Sequence, residues 1–305
     1  MLARLQQRIT AAWLLAALWW TAWQLQQGRP GWAAAGAALL LTGHALFLGA
    51  EFAVMAWANR DDHVPRATLT QLVSAWWGEV LAAPLTFCWR QPFFSQRWPD
   101  HLVPDARGRR GVLLVHGFFC NRGLWSAWLA RLHSEGVPFV AVNLEPVLGS
   151  IDDYAGAIEA GAAALEHATG MAPVIVAHSM GGLAVRRWLA GCGDVTRIRH
   201  VLTLGTPHQG TLLANWAFSR NGRQMRRNSR WLQALRSAEQ EMAPYHAARF
   251  TCYYGHCDNI VFPATTATLP GADNRHLAGV AHVHMCARDE PYAELRRLLA
   301  APGQP

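Results

Sequence analysis

The stretch Pro173-Val-Ile-Val-Ala-His178-Ser179-Met180-Gly181-Gly182 puts a serine between a short run of β-branched residues and a segment, Met180 to Ala190, that reads as a helix. Small residues stand two before it and two after it, Ala177 and Gly181. A sharp strand-to-helix turn needs them there, because its backbone packs against its neighbours; the usual first residue is glycine, and alanine is small enough. A serine raised on such a turn attacks carbonyl carbon once a base takes its proton. A serine at a helix N-terminus can also be only a cap, but the joint strand, turn and helix context favours the nucleophile. His178 and His116 read as packing or loop support.

Such a turn needs a sheet behind it. Val112 to Val115, Phe139 to Val142 and Val174 to Ala177 read as strands, alternating with helices near Leu124 to His133, Asp152 to Ala168 and Met180 to Ala190. Short apolar strands alternating with helices predict an α/β fold, a mostly parallel sheet covered by helices on both faces.

From these residues the chain resembles the lipase and esterase branch of the α/β-hydrolase superfamily, small bacterial lipases included, over roughly Arg110 to Leu299. Four further segments carry the resemblance in the expected order. Leu114-Val115-His116-Gly117-Phe118 is similar to the loop after the first core strand. Thr203-Leu-Gly205-Thr206-Pro207-His208 is similar to the strand end after the serine helix. Gly255-His-Cys-Asp258-Asn259 and Gly279-Val280-Ala281-His282 are similar to the acid and histidine loops. The resemblance implies a triad of Ser179, His282 and Asp258, with the backbone amides of Phe118 and Met180 as the oxyanion hole. Asp273 is the reserve acid. His282 and His284 lie two apart and would point the same way on an extended backbone; the preceding Gly279-Val280-Ala281 selects His282. The insertion from about 207 to 248, rich in Arg around Trp216, Phe218 and Trp231, stands where this superfamily places a cap or lid. It reads either as a basic, lipid-facing lid or as an ordinary solvated cap helix.

The chain ahead of residue 110 has another character. Ile9 to Leu25 and Gly31 to Ala58 are apolar stretches joined by the turn Gln26 to Pro30, and predict a transmembrane helical hairpin over residues 1–60. Tryptophans cluster towards its ends. Arg4, Arg8, Arg60 and Arg66 flank it, against Arg29 alone in the turn, so both ends are expected on the cytoplasmic side of a bacterial inner membrane. A cleaved signal peptide is the competing reading, and the second apolar stretch weighs against it. His44 and Glu51, on one face of the second stretch, form a candidate polar pair. Residues 61–110 read as an amphipathic juxtamembrane helix, Leu69 to Phe94, and a Pro-rich linker, leaving 111–305 for the catalytic domain.

Composition agrees with lipid contact: 51% hydrophobic residues, 15 Trp and a mean hydropathy of +0.05 over 305 residues. The net charge is +7, and all 27 basic residues are Arg. Without Lys there is no Schiff base and no Walker A lysine. No nucleic-acid partner, cofactor or metal is expected. The six Cys show no paired metal spacing and read as core residues, with a Cys252 to Cys257 disulfide open if the domain is exported. The expected activity is hydrolysis of acyl lipids or lipophilic esters through an acyl-enzyme. Alternatives are acyl transfer by the same triad, a non-catalytic membrane-anchored binding module, and a metal hydrolase built on His282 and His284.

Overall fold

The computed structural model describes residues 1–103, 105–241 and 247–301. Pro104 of the expected linker and residues 242–246 of the expected lid lie outside them. Six parallel strands form one sheet in the order β2-β1-β3-β4-β5-β6. They are β1 Val112–Val115, β2 Phe139–Val142, β3 Val174–His178, β4 His200–Leu204, β5 Phe250–Tyr254 and β6 Asp273–His276. The inner strands are almost wholly buried and mostly apolar because helices cover both faces. Within β1, Leu113 and Val115 enter one core, which the helices α7 (Ala155–Thr169) and α8 (Met180–Cys192) close. Val112 and Leu114 enter the opposite core, against α6 (Ser126–Ser134) and α11 (Asp289–Ala300). Helices thus flank a parallel sheet, as the alternation predicts.

The N-terminal region departs from a simple hairpin. Helix α1 spans Leu2–Gln26, but the second apolar stretch breaks at Gly43 into α2 (Pro30–Thr42) and α3 (His44–Ala58). Among the described residues no single helix is long and apolar enough to cross a membrane. The pair on either side of Gly43 meets length and composition only together, bent by 50°. His44 and Glu51 do not bond one another: His44 Nε2 meets the carbonyl of Val80 and Glu51 accepts from Asn259.

Past α3, α4 (Leu69–Pro84) continues through a π-helical turn, Leu85–Arg90, into the short α5 (Gln91–Phe94). The outward face of these helices is apolar, and their inward face mixes apolar residues with several polar ones. Leu69, Val73, Trp77, Leu81, Leu85, Trp89 and Phe93 repeat every fourth position and are all exposed. Gln6, Glu79, Thr86 and Gln91 are buried, and Gln6 donates to Gln91 at 2.9 Å. Phe52, Met55 and Ala75 pack with Cys257, Phe262 and Ala281, so α3 and α4 are welded to the loops after β5 and β6.

Helices α9 (Arg220–Gln224) and α10 (Arg230–Gln240) lie in the expected lid. They dock on the side of the sheet domain. Buried Arg186 of α8 makes two hydrogen bonds to Glu239, at 2.7 and 2.6 Å, and Trp231 donates to Asp152. All six cysteines are free, Cys252 and Cys257 among them.

Candidate active site

The five segments singled out above converge at the C-terminal edge of the sheet, where parallel strands deliver loops and helix N-termini together. Ser179 follows β3 at φ 54° and ψ −130°, a conformation costly for a residue with a Cβ and held here by its surroundings. Its amide donates to the carbonyl of Leu204 at 2.9 Å. A Cβ on Gly181 would stand 2.5 Å from the carbonyl oxygen of His116, and one on Gly117 would stand 2.8 Å from Ser179 Cβ. The small residues around the serine are thus demanded by close backbone approach.

Asp258 follows β5 and is buried. Its Oδ1 accepts from the amides of Ile260 and Val261 at 3.0 and 2.8 Å. His282 Nδ1 lies 3.0 Å from Oδ2 and 2.9 Å from Oδ1. Burial alone pulls the His282 imidazolium down; the charge and hydrogen bond of Asp258, with the charge of Glu79, outweigh it, so the pKa stands above the ordinary histidine value. Nε2 is the nitrogen left to face a serine. Ser179 and His282 line one cavity of about 530 Å³, and among the described residues no hydrogen bond yet joins them. Catalytic contacts are often loose before substrate binds.

The remaining expected residues fall around this pair. Phe118 lines the same cavity, and Met180 is the first residue of α8. Neither amide donates a hydrogen bond among the described residues. Two free N–H groups beside a serine suit an oxyanion. His116 accepts at Nε2 from the amide of Leu144, 3.0 Å, which leaves Nδ1–H to donate to the Gly117 carbonyl at 2.9 Å. Burial pushes His116 down to about 4, so this neutral ring holds the Phe118 loop in place. His178 packs its ring 4.5 Å from that of His282 and is held well below the usual value, first by burial and then by the His282 charge.

Two sequence expectations divide here. Residues 282 and 283 form a turn rather than an extended pair, so His282 enters the cavity while His284 begins a 3-10 turn against Gly78 of α4. Asp273 pairs with Arg275 on the exposed edge strand, at 2.7 Å, and makes no bond to His282.

The walls of the cavity are the main surprise. None of the described residues of 207–248 lines it; Gln6, Ile9 and Thr10 of α1, Phe47, Leu48 and Glu51 of α3, and Glu79 and Ala83 of α4 do. The roof is the N-terminal region. Glu79 accepts from the amides of Val283 and His284, at 3.1 and 3.0 Å, and so grips the histidine loop. Asn259 donates to Glu51 at 2.8 Å and accepts from the His282 amide at 3.3 Å. Sequence reasoning missed Glu79 and Asn259. The available signal was a carboxylate alone in the apolar run Val73 to Phe87.

A parallel sheet carrying a serine turn, a carboxylate loop and a histidine loop at one edge defines the α/β-hydrolase class of protein. The model of the Alpha/beta hydrolase family matches residues 112–304, and the chain belongs to that family. Among solved structures it is similar to the Bacillus licheniformis lipase BlEst2 in mature form: 18% identity, TM-score 0.56, with 65% of this chain and 95% of that one covered. The propeptide form of the same lipase gives 17% identity and TM-score 0.56, with 68% of this chain and 53% of that one covered. At such identities the likeness is one of fold. No curated protein matches the chain.

Proposed function

We propose that the chain is a serine hydrolase of carboxylic esters, acting on acyl lipids or lipophilic esters while seated in a membrane. The observation that carries the reading is the shared cavity: Ser179 on its strained turn and His282 already bonded to Asp258 open into one apolar space. Ser179 Oγ attacks the ester carbonyl while His282 Nε2 takes its proton. The oxyanion is met by the amides of Phe118 and Met180, each donor being worth about 3 kcal/mol. The proton passes from His282 to the departing alcohol and leaves an acyl-enzyme. Water, deprotonated by the same histidine, attacks the acyl-enzyme, and the acid is released as Ser179 regains its proton. Asp258 holds the tautomer and offsets the imidazolium charge.

Membrane seating is supported by the exposed apolar stripe from Leu69 to Phe93 and by exposed Trp13, Trp19, Trp32, Leu46, Phe47 and Trp57, a surface far more apolar than water favours. The similar Bacillus licheniformis protein is a lipase, which agrees with a lipophilic substrate here. The Arg residues that flank the helices support a catalytic domain on the cytoplasmic side. Detergent-solubilised protein given p-nitrophenyl esters and phospholipids is expected to release acid, and Ser179→Ala to release none. Intact spheroplasts are expected to protect the domain from added protease; digestion there refutes the sidedness.

A further inference from the structure

The cavity at Ser179 does not end beneath the roof. A second cavity, of about 440 Å³, shares Ile9, Thr10, Ala83, Phe87 and Cys88 with the first and continues to Trp13, Leu14 and Leu41. Both volumes are in the range of small-molecule sites. Along α1 the lining advances from Gln6 to Leu14, eight residues, or about 12 Å of helix axis. Along α3 it moves from Glu51 back to His44. The π-helical turn brings Phe87 and Cys88 beside Ala83 at the junction, and the outer end opens where Trp13, Leu14 and Leu41 are exposed.

We infer that α1, α3 and the π-helical turn form an acyl-chain channel from Ser179 to the apolar outer face, and that the chain selects esters with a long single acyl tail, admitted from the lipid side. This rests on the hydrolase reading above. The occupant follows from continuity: the inner end holds the group that would attack a carbonyl, and the lining that leads away is apolar apart from Thr10 and His44. A headgroup or a polar alcohol has no partners along Ile9, Leu14 and Phe87. Such a chain enters without leaving the bilayer, which offsets the cost of taking a long tail through water.

Cys88 allows a test without risking the fold, because it is exposed, sits at the junction of the two cavities, and the other cysteines are buried or half-buried. The full-length solubilised protein is treated with N-pyrenylmaleimide and assayed on p-nitrophenyl butyrate and palmitate; Leu41→Trp, at a position that lines the second cavity and not the first, is assayed in parallel untreated. The channel requires palmitate turnover to fall at least about tenfold relative to butyrate in both arms. It also requires Cys88→Ser to be indifferent to the reagent. Butyrate turnover reports that the fold and the site survive. If butyrate and palmitate fall together, or neither changes, the channel is wrong while the hydrolase stands. If the untreated protein cleaves neither ester, the hydrolase reading fails and the channel with it.

Discussion

Gly205 lies against Asp258 so closely that a Cβ at position 205 would stand 2.8 Å from Oδ2 and 3.0 Å from His282 Nδ1. The residue also has φ 56°, where a side chain is strained. Gly205→Ala is therefore expected to displace the pair and lower kcat/KM at least about tenfold, roughly 1.4 kcal/mol of barrier, besides its backbone cost. Gly193→Ala is the control, since φ is 66° there and nothing lies within 4 Å. It should cost about 1 kcal/mol in a denaturant melt with kinetics unchanged. Equal kinetics in the two variants would argue against the tight packing at Gly205.

His282→Ala should lower kcat by roughly four orders of magnitude or more, as loss of a base used in both half-reactions does. His284→Ala should stay within about tenfold of the parent. It packs on α4 and its ring makes no hydrogen bond among the described residues. Steady-state kinetics on a short ester decide the ranking, and the reverse order would invalidate the register of the whole loop.

Glu79 gives a pH dependence. Burial first, tempered by the amides of His284 and Val283 and by the His282 charge, raises its pKa from 4.5 to about 7. Between those values the folded chain keeps the proton and the unfolded chain releases it. Stability from this group therefore falls as pH rises from about 4.5 to 7 and is level above, by roughly 3 kcal/mol. In Glu79→Gln that slope should vanish from urea midpoints measured across the window. The acid limb of kcat/KM should also shift to lower pH, because one charge that favours the His282 imidazolium is gone. An unchanged slope would remove Glu79 from the account.

Glu239→Ala should destabilise the protein by about 3–5 kcal/mol, because the buried Arg186 guanidinium would lose its carboxylate. The described part of 207–248 does not line the cavity, so ester kinetics below the melting range should hardly move. A large rise in KM with stability intact would restore that segment as a lid.

What was legible in the sequence was local or strongly periodic. Ser179 was visible because one turn demands Ala177 and Gly181 around it, and β1 to β3 because strands buried on both faces carry unbroken apolar runs. β6 was not: Asp273-Asn-Arg-His276 is a polar edge strand with no alternation to read, and it left Asp273 open as a reserve acid. The N-terminal helices showed the deepest gap. Hydropathy registers that Ile9, Trp13, Phe47 and Trp77 are apolar, but not that Gly43 breaks the second stretch. Nor does it tell which face meets protein. Glu51 and Glu79 turn inward because the loops after β5 and β6 offer amide donors more than 200 residues away, and Gln6 turns inward onto Gln91, 85 residues away; no sequence window spans such distances.

The central claim is that Ser179 is the nucleophile, and the most direct measurement is the mass of its adduct. The full-length protein, incubated with a fluorophosphonate and digested, should carry one phosphonyl group on the peptide containing Ser179, in step with loss of ester hydrolysis. Ser179→Ala should carry none and hydrolyse nothing. A phosphonyl group on another residue, or hydrolysis persisting in Ser179→Ala, would contradict the account.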